Sequence, residues 1–421
     1  MSEVSISKTK LRVLSVPRQS FWLFLSAVTE LLYNEAGPQL DSCSDLEDEK
    51  KSTLSDTDSS WASVEVSKLK SWYAGSIASD NDNHYSPTTK DDTTNNNDDN
   101  DNEESDFFHI AFTPLECTII CSETIMNQYF KPILNVCLQL SLPVELVDTS
   151  FLRLQLDSEG AYDNCTKILE LTEPLSNNGI LLYFLSTHFS NIVLIPYDLR
   201  KKVITTLLLK NFEFSGSSNS YIFNQSPVNT PVKEFGELDL IVNDTDENDE
   251  SDSNDLSVKA FNTFKNVGTK PWVDRSTLLL LTGARTGYVG EVIEMTAKMT
   301  LRPSCIPKYF AITRTASEEV SLLLPKSSRI RANLGFKSKT LMGSAQDVIV
   351  PIALDFHLLP LKTSGIVAGV AQSILHGVKT SDIAVSFPFE MYYLSMAKSA
   401  IIMIPEDNIT IVEEILNQVA L

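Results

Sequence analysis

The sequence predicts an α+β protein built from small repeated sandwiches, helices on one face of an antiparallel sheet, and three observations carry that expectation. YFLSTHFSNIVLIPYDL, starting at Tyr183, matches YYLSMAKSAIIMIPEDN, starting at Tyr392, without a gap; Tyr183 falls on Tyr392, Leu185 on Leu394, Ser186 on Ser395, Ser190 on Ser399, Pro196 on Pro405 and Asp198 on Asp407. Such an alignment is a duplication. Within each copy, two short apolar runs flank a small polar turn and then give way to helical spacing. Finally, two acidic, Ser/Asn-rich stretches divide the 421 residues into folded blocks.

In chain order, Leu11 to Val16 alternates as a strand, and FWLFLSAV at Phe21 continues into TELLY with the spacing of an amphipathic helix rather than a signal-peptide core. FFHIAFTPLECTIICSE at Phe107 corresponds loosely to YFAITRTASEEVSLLLPKS at Tyr309: each gives an aromatic pair, a polar turn with Glu and an apolar strand. The earlier tight copy has a strand at Phe151 to Leu156, a helix near Cys165 to Leu175 and a hairpin of Leu181 to Leu185 with Ile192 to Ile195. Pro196 stops the strand and Asp198 complements the N-terminus of a helix carrying Val203, Leu207 and Leu208. LTGARTGYVG at Leu281 lacks the Lys-Ser/Thr of a phosphate loop and reads as the turn between the third strand and its helix. The later copy has a strand at Asp347 to Leu354 and a helix at Gly365 to Val378, with Ile366, Val370 and Ile374 on one face. Its hairpin pairs Tyr392 to Leu394 with Ile401 to Ile404, and a helix carrying Ile411, Ile415 and Leu416 follows. Each unit is thus β-α-β-β-α, to which a final edge strand can be added. Four modules fit the length: 9–130, interrupted at about 37–106; 131–214; 271–345; and 346–421, with 215–270 as an acidic linker.

The net charge of −21 is concentrated around Asp41 to Asp58, Asp80 to Asp106 and Asp244 to Asp255, so it describes the inserts rather than a binding face. Both inserts read as disordered, because they bury too little apolar surface to offset ordering entropy. DTDENDESDSND has the carboxylate density of a calcium loop, yet Asp249 stands where that loop turns on Gly. Without a basic, aromatic-laced patch, nucleic acid is excluded as a partner. Six irregularly spaced cysteines give neither a disulfide framework nor a metal site, and no apolar run spans a bilayer, so a reduced cytoplasmic protein is expected. The histidines His84, His109, His188, His357 and His376 lie in no nucleophile arrangement, so no catalytic residues, no metal and no cofactor are assigned. Ser44, Ser55 and Ser79, each with an acidic residue three positions on, are candidate phosphorylation sites for an acid-directed kinase, with a solvated spacer as the alternative.

LRVLSVPRQSFWLFLSAVTELLY at Leu11, FFHIAFTPLECTIICSE, LLYFLSTHFSNIVLIPYDL and GIVAGVAQSIL with YYLSMAKSAIIMIPEDN together resemble the cytosolic arginine-sensor family of tandem ACT-domain proteins, named CASTOR. The resemblance implies ferredoxin-like βαββαβ modules, a ligand pocket between the second and fourth, and regulation of the TOR kinase complex through a GATOR complex. It places Thr363, Ser364, Gly365, Ile366 and Val367 at the ligand carboxylate, a role that free amides at a helix N-terminus suit. Leu181, Leu182, Met396, Ala397 and Ala400 fall at the remaining wall, with Ala400 and Leu181 in place of the family's polar contacts. Arginine would be left without its carboxylate there, so an apolar or small amino acid, or no ligand, fits better. The family's partner contact falls near His188, Phe189 and Asn191, and an exposed Phe189 would serve as an anchor. The expectation is a non-enzymatic sensor of an amino acid or small carboxylate, homodimeric through its module edges; a scaffold with a degenerate pocket, or the regulatory subunit of a biosynthetic enzyme, are the alternatives.

Overall fold

The computed structural model describes residues 3–36, 107–157, 164–215, 256–359, 364–380 and 389–419. The chain opens with β1 (Glu3–Ile6), then a first motif of β2 (Leu11–Pro17), α1 (Leu25–Ala36), β3 (Phe108–Phe112), β4 (Glu116–Ser122), α2 (Lys131–Gln139) and β5 (Glu145–Leu146). The second motif is β6 (Phe151–Asp157), α3 (Asn164–Asn177), β7 (Tyr183–Ser186), β8 (Ser190–Pro196), α4 (Arg200–Leu209) and β9 (Glu213–Phe214). A connecting helix α5 (Leu256–Val267) and β10 (Trp272–Val273) lead into a third motif of β11 (Leu279–Ala284), α6 (Val289–Thr300), β12 (Phe310–Ala316), β13 (Glu319–Pro325), α7 (Ser328–Asn333) and β14 (Leu341–Met342). The fourth comprises β15 (Ile349–Asp355), α8 (Ile366–Thr380), β16 (Tyr392–Ser395), β17 (Ser399–Pro405) and α9 (Ile409–Val419).

These strands form two continuous sheets. One runs β5-β2-β4-β3-β12-β13-β11-β14 and joins the first motif to the third through the β3–β12 pair. The other runs β9-β1-β6-β8-β7-β16-β17-β15-β10 and joins the second to the fourth through Leu185 and Leu394. β1 and β10 each skip the motif that follows them and complete the sheet of the next one, β1 beside β6 and β10 beside β15. Single bridges, Leu11 with Phe151 and Leu279 with Ile349, link the two sheets at equivalent places.

Burial explains why the repeated strands are apolar throughout instead of alternating. Ile192, Leu194, Ile401 and Met403 fill the layer between the two sheets, while Val193, Ile195, Ile402 and Ile404 meet the helices. A strand covered on both faces needs an unbroken apolar run. The pairwise kinship extends to the helix starts. Ser122 and Ser327 accept the amides of Ile125 and Ile330 ahead of α2 and α7. Pro196 and Pro405 instead lead through short 3-10 turns into α4 and α9.

At the β7–β16 seam the duplication becomes a local two-fold relation. Tyr393 N–H donates to Ser186 Oγ at 3.0 Å, and Phe184 N–H donates to Ser395 Oγ at 3.0 Å. Across the other seam, Arg18 donates to the carbonyls of Thr113, Ile306, Pro307 and Lys308, tying the first motif to the third.

Three expectations change. α2 and β5 belong to the first motif, because Leu134, Cys137 and Val144 pack in its core; that motif therefore runs on to Leu146 instead of stopping at 130. The stretch expected as linker holds the ordered helix α5, whose Leu256, Ala260, Phe261 and Phe264 are buried. The module edges expected to pair between two copies are paired within the chain, β3 with β12 and β7 with β16, and the outer edges β5, β14, β9 and β10 are two residues long. The acidic stretches 37–106 and 216–255, with Ser44, Ser55 and Ser79, lie outside the described residues.

Candidate functional site

Where the β7–β16 seam meets the start of α8, a cavity of about 70 Å3 lies between the second and fourth motifs. A single water needs roughly 10–15 Å3 on the same measure, so the space is larger than one water and still small. The second motif contributes Ser176 from the end of α3 and Leu181, Leu182 and Tyr183 at the entry to β7. From the fourth come Phe356 and Leu359 after β15, Ser364 to Ala368 at the start of α8, and Ser395, Met396 and Ala397 at the β16–β17 turn.

The polar groups are few and unevenly engaged. Gly365 adopts φ +83°, a left-handed conformation that L side chains rarely take, and its carbonyl accepts the first helical bond, from Gly369 N–H at 2.8 Å. The amides of Ile366 and Val367, in the first turn of α8, have no partner within the helix. Ser176 Oγ is buried and has no hydrogen-bond partner among the described residues, whereas Ser395 Oγ is occupied by Phe184 N–H. Tyr183 keeps its phenol protonated: burial raises its pKa first, then the negative charges of Glu116 and Glu145. No charged side chain stands among the described lining residues.

Sequence reasoning placed Ser364, Gly365, Ile366, Val367, Leu181, Leu182, Met396 and Ala397 together, and all of them line the cavity. Thr363 lies outside the described residues. Ala400 is not at the wall: it is buried in the helix-side core, opposite Leu354 and Ser395. Ser176, Tyr183, Phe356, Leu359, Ala368 and Ser395 were missed. For Ser176 the available signal was SNNG, a helix end with Gly179 at φ +67°, which sets the last turn of α3 beside the seam.

The residues expected to meet a partner turn inward. His188 N–H donates to Ser321 Oγ at 2.9 Å, and a β-carbon on Gly283 would stand 2.7 Å from His188 Cδ2 and 2.8 Å from Phe189 Cζ. The β7–β8 turn is therefore plugged into the third motif, and Phe189 is half-buried rather than an exposed anchor. Asn191, half-buried, pairs with Leu156 and Ser186 in the sheet.

Against this geometry, one family model aligns with the second motif. Residues 146–208 match the ACT domain. The ACT segment thus supplies Ser176, Leu181, Leu182 and Tyr183 of the cavity wall. Among solved structures, the chain is similar to protein Atu0741 from Agobacterium tumefaciens, at 13% identity over 51% of this chain and 92% of that one, with a TM-score of 0.23. It is also similar to aspartate kinase from Synechocystis, at 8% identity over 99% of this chain and 56% of that one, with a TM-score of 0.28. No curated protein matches it. No described helix is long and apolar enough to cross a membrane, and no described cluster of His, Cys, Asp or Glu could hold a metal ion.

Proposed function

We propose that the protein is a non-enzymatic regulator of four tandem ACT modules that senses a small neutral amino acid in the cavity between the second and fourth. The observation that carries this reading is the pairing of a buried hydroxyl, Ser176, unpartnered among the described residues, with the glycine-led N-terminus of α8 at one cavity. The helix amides and dipole suit a carboxylate, and Ser176 can donate to it. The walls of Leu181, Leu182, Phe356, Val367 and Met396 suit a short apolar side chain. A guanidinium would be enclosed there without a carboxylate, at a cost of several kcal/mol. Because the ligand touches two motifs, it stabilises only the arrangement that forms both walls, and that differential affinity is the signal.

A thermal-shift screen of the protein amino acids tests this. A specific ligand at about 100 times its dissociation constant stabilises by roughly 2.7 kcal/mol. Stabilisation by alanine, serine or valine, and none by arginine, is expected; no shift with any amino acid favours a constitutive scaffold. The finer reading, in which a cytoplasmic protein signals to a GATOR-like complex in the TOR nutrient pathway, rests on the family resemblance. Affinity purification recovering TOR-pathway components would support it, and recovery of an amino-acid-biosynthetic enzyme would favour a regulatory subunit.

A further inference from the structure

The duplication allows the two hairpin turns to be compared position by position. Ala397 N–H donates to Thr118 Oγ1 at 3.2 Å just as His188 N–H donates to Ser321 Oγ, so each turn docks on the sheet of a different motif. The docking devices differ. The β7–β8 turn inserts its His188 and Phe189 rings at Gly283. The β16–β17 turn, which lines the cavity, carries no such rings and is held by the first motif through Thr118, an ion pair of Lys398 Nζ with Glu145 at 2.7 Å, and Glu116.

Glu116 is 1% exposed, and both of its oxygens are occupied. Oε1 accepts Lys398 N–H at 3.0 Å and Ser399 Oγ–H at 2.7 Å; Oε2 accepts Ser15 Oγ–H at 2.7 Å and Thr118 Oγ1–H at 3.3 Å. Four donors match the roughly four acceptor positions of an ionised carboxylate. The duplicate position behaves otherwise: Glu319 accepts from Thr315 Oγ1 at 2.7 Å, and Ser190 Oγ, the counterpart of Ser399, is buried without a partner among the described residues.

We infer that Glu116 is a positioning residue for the cavity: from the first motif it fixes the β16–β17 turn whose Ser395, Met396 and Ala397 form one wall, linking occupancy of the cavity to docking of the first motif on the fourth. This rests on the reading of the cavity as a ligand site. A Gln can keep Oε1 for Lys398 N–H and Ser399 and turn its amide toward Ser15 and Thr118, whose hydroxyls can accept as well as donate. An Ala can do neither.

The test uses the full chain with L-alanine as probe in titration calorimetry, and amide hydrogen exchange without ligand. Glu116→Gln is expected to bind within about threefold of the unmodified protein, and Glu116→Ala at least tenfold more weakly with faster exchange at 395–399. Ser399→Ala, which removes one hydrogen bond, covers the case where Glu116→Ala does not fold and is expected to weaken binding two- to fivefold. Unchanged binding and exchange in a folded Glu116→Ala, or Glu116→Gln as damaging as the Ala variant, overturns the proposal. If the unmodified protein binds no amino acid, the sensor reading fails by itself, and exchange at 395–399 still decides whether Glu116 positions the wall.

Discussion

Ser176 and Gly365 approach each other at the cavity between the second and fourth motifs: a β-carbon on Gly365 would stand 3.6 Å from Ser176 Cβ, and Ser176 Oγ is buried without a partner among the described residues. An unpaired buried hydroxyl costs stability in the empty protein and gains a partner when an acceptor enters. Ser176→Ala is therefore expected to leave the empty protein as stable as before or slightly more so, and to weaken amino-acid binding by about 1 kcal/mol. Urea melts and titration calorimetry on the same preparation check both halves.

Gly365→Ala is expected to destabilise by about 1–2 kcal/mol, the cost of holding an L side chain in the left-handed region. The added carbon would also stand 3.2 Å from Leu256 Cδ2, which must give way. Chemical denaturation measures the loss.

Gly369 is crossed more closely still, since a β-carbon there would collide with the Leu256 carbonyl oxygen and stand 2.7 Å from Ala260 Cβ. Backbone cannot swing aside, so Gly369→Ala is expected to lift α5 off α8 and cost about 1–3 kcal/mol. Hydrogen exchange should rise in 256–267 while α1 and α6 keep their protection.

Phe189→Ala is expected to lower stability by about 1–3 kcal/mol, because the ring fills the hollow over Gly283. Were Phe189 an anchor for another protein, the variant would lose a partner in pull-downs while melting like the unmodified chain.

The pH dependence has an identifiable contributor. His109 is fully buried in β3, with Nδ1 2.8 Å from Thr313 Oγ1, and burial pushes its pKa down to about 3. The unfolded chain takes up a proton near 6.5 that the folded one refuses, so this stability is complete above about pH 6.5 and is lost as pH falls toward 3. From pH 7 to 5 the loss is roughly 2 kcal/mol, and in His109→Gln that component disappears from urea melts at the two values.

Much of this was legible in the chain. The ungapped match of Tyr183 with Tyr392 locates two hairpins whose serines, Ser186 and Ser395, do make equivalent bonds. Helical spacing at Ile366, Val370 and Ile374 does fix the buried face of α8. What escaped was non-local. EVSI and WV are too short to show a period, and nothing in them says that β1 and β10 pair with β6 and β15 instead of their sequence neighbours. Glu116 looked like a turn residue because its partner Ser399 is 283 positions away. The inward turn of Phe189 depends on the absent side chain of Gly283, in another motif.

Titration calorimetry of the full chain with L-alanine, run beside Gly365→Val, probes the cavity most directly. Saturable binding at one site per chain, abolished by a side chain at the mouth of α8 and absent with arginine, is the expected result. Equal heats from the two proteins, or arginine binding as tightly as alanine, would contradict a small neutral-amino-acid site at this seam.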